Sequence, residues 1–262
     1  MTDTTRYLQA YDEQLRGESE TPSAIRSIRL GPIRLVTFAG GRGFISYRDL
    51  GEADAAGIAA LVADALAYYQ TDREITRVEW KTRSHDRAPG LHDALLANGF
   101  APDEPESIMV GPLAALCAAV PTPAGVTLRQ LHHEAEIRAM SAMVDGVFGE
   151  PPSAAIADSL LARLARADGM ELWVAEADDR MVGAGRLEPV PGSDFAGIWG
   201  GVVLEEYRGR GIYRALTAAR ARSALELGKT LAHSDSTEYS RPILERSGLI
   251  RVSSTTPYEW TR

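Results

Sequence analysis

Val202-Val203-Leu204-Glu205-Glu206-Tyr207-Arg208-Gly209-Arg210-Gly211-Ile212-Tyr213-Arg214-Ala215-Leu216 decides how this chain is read. Ile212, Leu216, Ala219, Ser223 and Leu227 recur at steps of three and four, which places them on one face of a helix that stops at Gly228. Ahead of that helix stands Arg208-Gly209-Arg210-Gly211, and ahead of the turn a strand-like run from Phe195 to Leu204. A strand that enters a glycine turn and then a helix brings unpaired N–H groups and the positive end of the helix dipole to one point, a ready setting for a phosphate. Arg208, Arg210 and Arg214 crowd the same helix start, where each positive charge costs about 0.3–1 kcal/mol unless an anion answers it. Two answers are open: a bound anion, or the neighbouring Glu205 and Glu206.

The preceding strand carries a second signal. Gly200 and Gly201 are poor strand formers and mark a bulge or a close approach to the main chain. A strand with accessible main chain beside a phosphate turn suits a linear ligand with amides at one end and a phosphate at the other, and pantetheine joined to a pyrophosphate has that form.

Working outward, the C-terminal part reads as a strand at Val126 to Gln130, helices at His133 to Phe148 and Ser153 to Ala167, and a hairpin of Glu171 to Ala177 with Met181 to Glu188. Asp178-Asp179-Arg180 is its turn. After the helix come a strand at Thr230 to Ser234, a short helix at Pro242 to Arg246, Gly248-Leu249 and a last strand. The N-terminal part reads as a helix at Thr4 to Leu15, strands within Ser27 to Leu50 broken at Gly31-Pro32 and Gly40 to Gly43, and a helix at Ala53 to Tyr69. A strand at Thr76 to Lys81, a short helix at Leu91 to Asn98 closed by Gly99, and a strand near Ile108 to Val110 follow. Both halves thus end in strand, helix, glycine, strand, which suggests a distant duplication. Pro121-Thr122-Pro123-Ala124-Gly125 disfavours any regular element, so the expected division is a domain at 1–120, a linker at 121–125 and a domain at 126–262. Residues 18–23 are polar enough to expect a mobile loop.

Composition excludes more than it selects. Apolar residues make up 45% and charged ones 24% of 262 residues, the balance of a folded globular chain. A net charge of −8 without basic runs argues against nucleic acid or an anionic membrane surface as partner, and no apolar run nears the ~18 residues of a membrane span. Met1 to Gln9 lack the pattern of a secretory leader, so a cytoplasmic location is expected. Cys117 stands alone and reads as a small buried apolar residue, and no cluster has metal-ligand spacing.

With these residues in view, Val203 and Arg208-Gly209-Arg210-Gly211-Ile212 resemble the acetyl-CoA signature of the GNAT superfamily of N-acetyltransferases: Arg or Gln, two residues, Gly, one residue, then Gly or Ala. Tyr213 departs from the last position and threatens to narrow the approach to the pyrophosphate. Pro242-Ile243-Leu244-Glu245-Arg246-Ser247-Gly248-Leu249 is similar to the family's closing helix and Gly-Phe, so the resemblance covers about 126–262. Val78 to Lys81, His85-Asp86 and Leu95 to Phe100 resemble the closing part of the same fold without a phosphate turn. The resemblance implies an α/β (α+β) protein of two acyl-CoA N-acyltransferase-like domains in tandem, each a mixed, mostly antiparallel sheet flanked by helices, the first degenerate.

It also implies acetyl-CoA as cosubstrate, no metal, and transfer of acetyl to a primary amine of a small molecule or peptide, with room for a homodimer. Cofactor contacts would come from Val202, Val203, Arg208, Gly209, Arg210, Gly211, Ile212, Tyr213, Thr237 and Ser240, with a main-chain N–H near Val202 or Val203 polarising the thioester carbonyl. Ser240 and Thr237 equally suit a simple helix cap. The family's usual acid, a tyrosine four residues before the Gly-Phe pair, is Leu244 here. Tyr239 is the substitute expected, Tyr258 the second choice. For the base, Glu188, Asp194, Glu238 and a chain of waters stay open. Loss of the acid also suits an alternative, a non-catalytic acyl-CoA-binding regulatory protein. His85-Asp86 and His132-His133 have no partner set for catalysis and are expected to be structural, whereas Trp199 beside Gly200 is placed to line a cleft.

Overall fold

The computed structural model describes residues 2–118, 120–149 and 151–262; Met1, Ala119 and Glu150 lie outside the described residues. Its elements are helix α1 (Asp3–Gln14), strands β1 (Arg26–Leu30), β2 (Ile33–Phe38) and β3 (Arg42–Tyr47), α2 (Ala55–Gln70), β4 (Arg77–Lys81), α3 (Leu91–Ala97), β5 (Ala101–Pro102), β6 (Glu106–Pro112) and α4 (Leu113–Cys117). Then come β7 (Thr127–Gln130), α5 (Glu134–Val147), α6 (Ala154–Leu164), β8 (Glu171–Ala177), β9 (Arg180–Pro189), β10 (Phe195–Val203), α7 (Ile212–Glu226), β11 (Leu231–Ser236), α8 (Arg241–Arg246), β12 (Ile250–Thr255) and β13 (Pro257–Thr261). Two sheets result, ordered β1-β2-β3-β4-β13-β5 and β12-β6-β11-β10-β9-β8-β7, each mixed and mostly antiparallel as expected. Among the described residues no helix is long and apolar enough to cross a membrane.

The chain divides into two compact units, but not at the expected linker. One unit runs to Ile108 and takes back Val252–Arg262 from the far end; the other is Met109–Arg251. Pro121 to Gly125 coincides with neither boundary. The reason is strand pairing: β13 lies antiparallel to β4 from Pro257↔Lys81 to Thr261↔Arg77 and also pairs β5, so the first sheet is complete only with the C-terminal residues. Pairing between such distant segments leaves no local trace in sequence.

In the first unit β3 and β4 are parallel, and its core gathers Trp80, Tyr69, Ile45, Ile58 and Tyr258. Residues 18–23 are not a free loop there, because Glu18–Glu20 forms a 3-10 turn and Glu20 ion-pairs with Arg83 and, at 3.7 Å, with Lys81.

In the second unit the sheet is covered on both faces. Ile137, Met140 and Leu160 of α5 and α6 pack with Leu172, Val174, Ala184 and Val202, while Ile212 and Leu216 of α7 pack with Val182 and Val203. Burying such side chains is worth about 1.5–3 kcal/mol each. The hairpin of β8 and β9 turns on Asp178 and Asp179, both at positive φ (+51° and +56°), the two-residue geometry that aspartates tolerate. Cys117 is half-buried rather than buried, its Sγ 3.6 Å from the Leu113 carbonyl.

Candidate functional site

The site grows from a local failure of pairing in the second unit. β10 runs parallel to β11 over Phe195↔Leu231, Ala196↔Ala232 and Gly197↔His233 only, although β10 continues to Val203 and β11 to Ser236. On its other side β10 pairs β9 with a register shift between Trp199 and Val202, and Gly200 there has φ +58°. The glycines therefore do form a bulge, as expected. Past Gly197 no pairing between β10 and β11 is described, which leaves a gap edged by main-chain donors and acceptors, the opening that an extended amide chain fills as an added strand.

At the end of β10 the chain makes a 3-10 turn, Glu205–Tyr207, and reaches Gly209 (φ +76°) and Gly211 (φ +82°). Gly211 caps α7 without a side-chain hydrogen bond, so the first N–H groups of α7 have no acceptor within the helix. A non-glycine residue in this left-handed backbone costs about 1–2 kcal/mol. Arg208 Nε donates to the Val203 carbonyl (3.3 Å); Arg210 Nη2 donates to the Glu206 carbonyl (2.9 Å) and covers the Tyr207 ring at 4.7 Å. Glu206 pairs instead with Arg180 (3.5 Å), and among the described residues no carboxylate is in ion-pair reach of Arg208, Arg210 or Arg214. Neutralisation by Glu205 and Glu206 is not what the structure does. Arg210, Gly211 and Arg214 form one wall of a pocket of about 180 Å³, whose other wall is Val120, Pro121 and Pro123. Two cations, a helix N-terminus and an exposed glycine thus meet at one concavity.

Tyr213 does not obstruct that concavity with its ring. A Cβ placed on Gly201 would lie 2.7 Å from Tyr213 Cε2, so the ring lies over the bulge, beside the strand. Beneath it sits Arg220, fully buried, with Nη1 donating to the carbonyls of Arg186 and Trp199 (3.1 Å each), Nε to the Leu216 carbonyl (3.2 Å) and Nη2 to Thr217 Oγ1 (3.2 Å). Burial lowers the Arg220 pKa to about 10 despite the attraction of Tyr213, and burial raises the Tyr213 phenol above its ordinary value, an effect that Arg220 offsets only in part.

The other candidates scatter. Leu244 is buried in the core with Ala221 and Leu249. Tyr239 is 90% exposed at the entrance of α8. Tyr258 belongs to the first unit, where it bonds to His92 Nδ1 (2.7 Å). Thr237 Oγ1 and Ser240 Oγ are 3.4 Å apart, and Ser240 heads α8 without a side-chain cap bond. Glu188 is held by Arg163 (3.2 Å) and Arg186, Glu238 is exposed, and the Asp194 carbonyl takes bonds from Thr230 and Leu231. Trp199 and His233 meet edge to face at 5.1 Å beside the start of the gap, with Phe195 5.8 Å from His233.

Sequence reasoning missed Arg220, although an arginine four residues after Leu216 on the apolar face of a helix is a visible anomaly. It also missed the linker prolines as a pocket wall, which no local pattern announces. The first unit shows the contrasting case. Its parallel pair ends at Ile45↔Trp80, and beyond it Arg16 Nη2 bonds to the Tyr47 carbonyl (2.9 Å) and Nη1 to Asp86 (2.6 Å), while Glu20 meets Ser46, Lys81 and Arg83. Side chains of this chain fill the corresponding gap. His85, bonded to Ser253 (2.6 Å) and Asp12 (3.1 Å), is part of that packing.

Residues 134–248 match the model of the acetyltransferase (GNAT) family. No curated protein matches the chain. Among solved structures it is similar to a GCN5-related N-acetyltransferase from Kribbella flavida (18% identity, TM-score 0.67, 99% of this chain and 96% of the other). It is similar to a GCN5-related N-acetyltransferase from Sphaerobacter thermophilus (17%, 0.65, 88% and 76%) and to a tandem GNAT protein from the clavulanic acid biosynthesis pathway (15%, 0.62, 99% and 96%). At these identities the likeness is one of fold.

Proposed function

We propose, from the match of residues 134–248 to the acetyltransferase (GNAT) family, that the second unit moves the acetyl group of acetyl-CoA directly to a primary amine of a small molecule or peptide. The observation that carries this is the continuity of gap and pocket along one stretch of chain: the open β10–β11 edge ends at Val203, five residues before the arginine-glycine turn. Pantetheine amides would pair with β10 near Val202 and Val203, and the pyrophosphate would meet the N–H groups from Gly209 to Tyr213 with Arg210 and Arg214 beside it. Thr237 and Ser240 stand next to the end of β11, where their hydroxyls suit the pantetheine arm.

The chemistry asks three things of the protein. The thioester carbonyl needs a preorganised N–H, which the bulged strand offers without a ladder partner. The amine must be unprotonated, although its solution pKa is ~10. The departing thiolate needs a proton. We take the protein to act in the cytoplasm, without nucleic acid or membrane as partner.

Thermal unfolding with and without acetyl-CoA, followed by assay of free thiol over a panel of primary amines, tests the proposal. At a hundredfold excess over Kd the ligand adds ~2.7 kcal/mol to stability. No stabilisation at millimolar acetyl-CoA would reject it; stabilisation without thiol release from any amine would favour the non-catalytic acyl-CoA-binding reading.

A further inference from the structure

Three tyrosines belong to the second unit: Tyr207, Tyr213 and Tyr239. Tyr207 donates to Asp178 (3.0 Å) and stacks under Arg210, so its hydroxyl is engaged away from the gap. Tyr239 points into solvent, 90% exposed, where a phenol gains nothing from the site. Tyr213 differs from both. Its ring lies on Gly201, in the bulge that borders the open edge of β10, with Oη 3.4 Å from where a Cβ on that glycine would be.

Arg220, seven residues further along α7, is the second observation. A fully buried guanidinium normally has a carboxylate partner, because an isolated buried charge is costly. Here its four acceptors are three carbonyls and a hydroxyl, all neutral. Two of those carbonyls, Arg186 and Trp199, belong to β9 and β10 at the bulge, so the cation is fixed beneath the bulged strand that borders the gap. The groups facing Tyr213 from each neighbouring strand do not cancel it: β10 has no ionisable side chain, and on β9 Arg186 is paired with Glu188.

We propose that Tyr213 is the proton donor to the departing CoA thiolate, with Arg220 as the positioning residue that holds the bulge against which the phenol lies. This rests on the acetyl-CoA reading above. In the step, the amine nitrogen bonds to the thioester carbon, the C–S bond breaks with its electron pair going to sulfur, and sulfur takes the proton from Tyr213 Oη. The proton lost by the amine nitrogen returns through solvent to the phenolate, so the sum is amide plus free thiol.

The test is titration of the thiol of bound CoA, followed by the ultraviolet absorbance of the thiolate, in the wild-type protein and in Tyr213→Phe, with thermal unfolding to confirm binding. A phenol and a buried cation beside the sulfur favour the thiolate. The expected result is that both proteins are stabilised by CoA and that the apparent pKa of the bound thiol rises in Tyr213→Phe by about one unit, a tenfold loss in ionisation constant. Arg220→Lys should move it in the same direction by a smaller amount. If both proteins bind CoA and the thiol titrates identically in them, or if Tyr239→Phe moves it instead, the assignment to Tyr213 is overturned while acetyl-CoA binding stands. If CoA does not stabilise the wild-type protein, the acetyl-CoA reading itself falls, and the assignment with it.

Discussion

The guanidinium of Arg220 occupies the space that a side chain on Gly185 would need: a Cβ built there lies 2.6 Å from Arg220 Cζ and 2.6 Å from Nη1. Gly185 is therefore set by its neighbour on α7, since β9 runs extended there and pairs Trp173 of β8. A helix residue thus dictates a strand residue thirty-five positions earlier, and through the carbonyls of Arg186 and Trp199 the pair fixes the bulge of the candidate site.

Gly185→Ala should consequently destabilise the second unit. Arg220 has no room to retreat, and losing one charge-assisted hydrogen bond costs ~1.5–3 kcal/mol. Chemical denaturation would measure the loss; a change below a few tenths of a kcal/mol would mean that the guanidinium has slack that its four acceptors do not suggest.

Gly211→Glu should separate fold from ligand. The substitution strains a left-handed position and puts a negative charge at the helix start beside Arg210 and Arg214. The folded protein should persist with a cost of about 1–2 kcal/mol, while stabilisation by acetyl-CoA disappears. A variant that still responds to acetyl-CoA like wild type would move the phosphate site elsewhere.

The turn, the bulge and the helix after them were legible because they are local: paired glycines in a strand and in a turn, a helix period, three arginines crowding one helix start. The two sheets followed from the same patterns and from the resemblance they carry. What stayed hidden depends on distant pairs. β13 pairs with a strand more than 170 residues earlier, so Tyr258 reads as a neighbour of the closing helix but sits on His92 in the other unit. The loop at 18–23 was misjudged for the same reason, since polarity along the chain does not reveal Arg83 facing Glu20.

Removal of Pro257–Arg262 should unfold the first unit. β13 lies between β4 and β5, and Tyr258, opposite Trp80, is part of the core. Deletion exposes one edge of β4 and opens the space beside Trp80, a loss comparable to large-to-small core substitutions at ~3–5 kcal/mol or more. Limited proteolysis should show cleavage within residues 2–108; full resistance there would mean that β13 is dispensable.

Acid should weaken the first unit through Asp12 and Glu20. Burial raises both carboxyls, but His85 and Arg16 outweigh it for Asp12, as Arg83, Lys81 and Ser46 do for Glu20, so both titrate below their ordinary values. A carboxyl depressed in the folded state contributes stability that is complete above its unfolded pKa and is lost as the pH falls through its folded pKa. Between the two values the unfolded chain binds more protons, so stability must decline as the pH drops below the ordinary carboxyl range. Glu79 opposes this, because burial raises its pKa and its protonation on acidification relieves a buried charge. Glu20→Gln removes one of the two depressed groups. At neutral pH it should cost ~3–5 kcal/mol by leaving Arg83 and Lys81 facing an amide, and in acid the difference from wild type should shrink, because wild-type Glu20 then carries its proton too. Denaturation curves recorded from neutral pH downward would reveal this as two stability profiles that converge. Profiles that stay parallel would show that Glu20 does not hold its charge against Arg83.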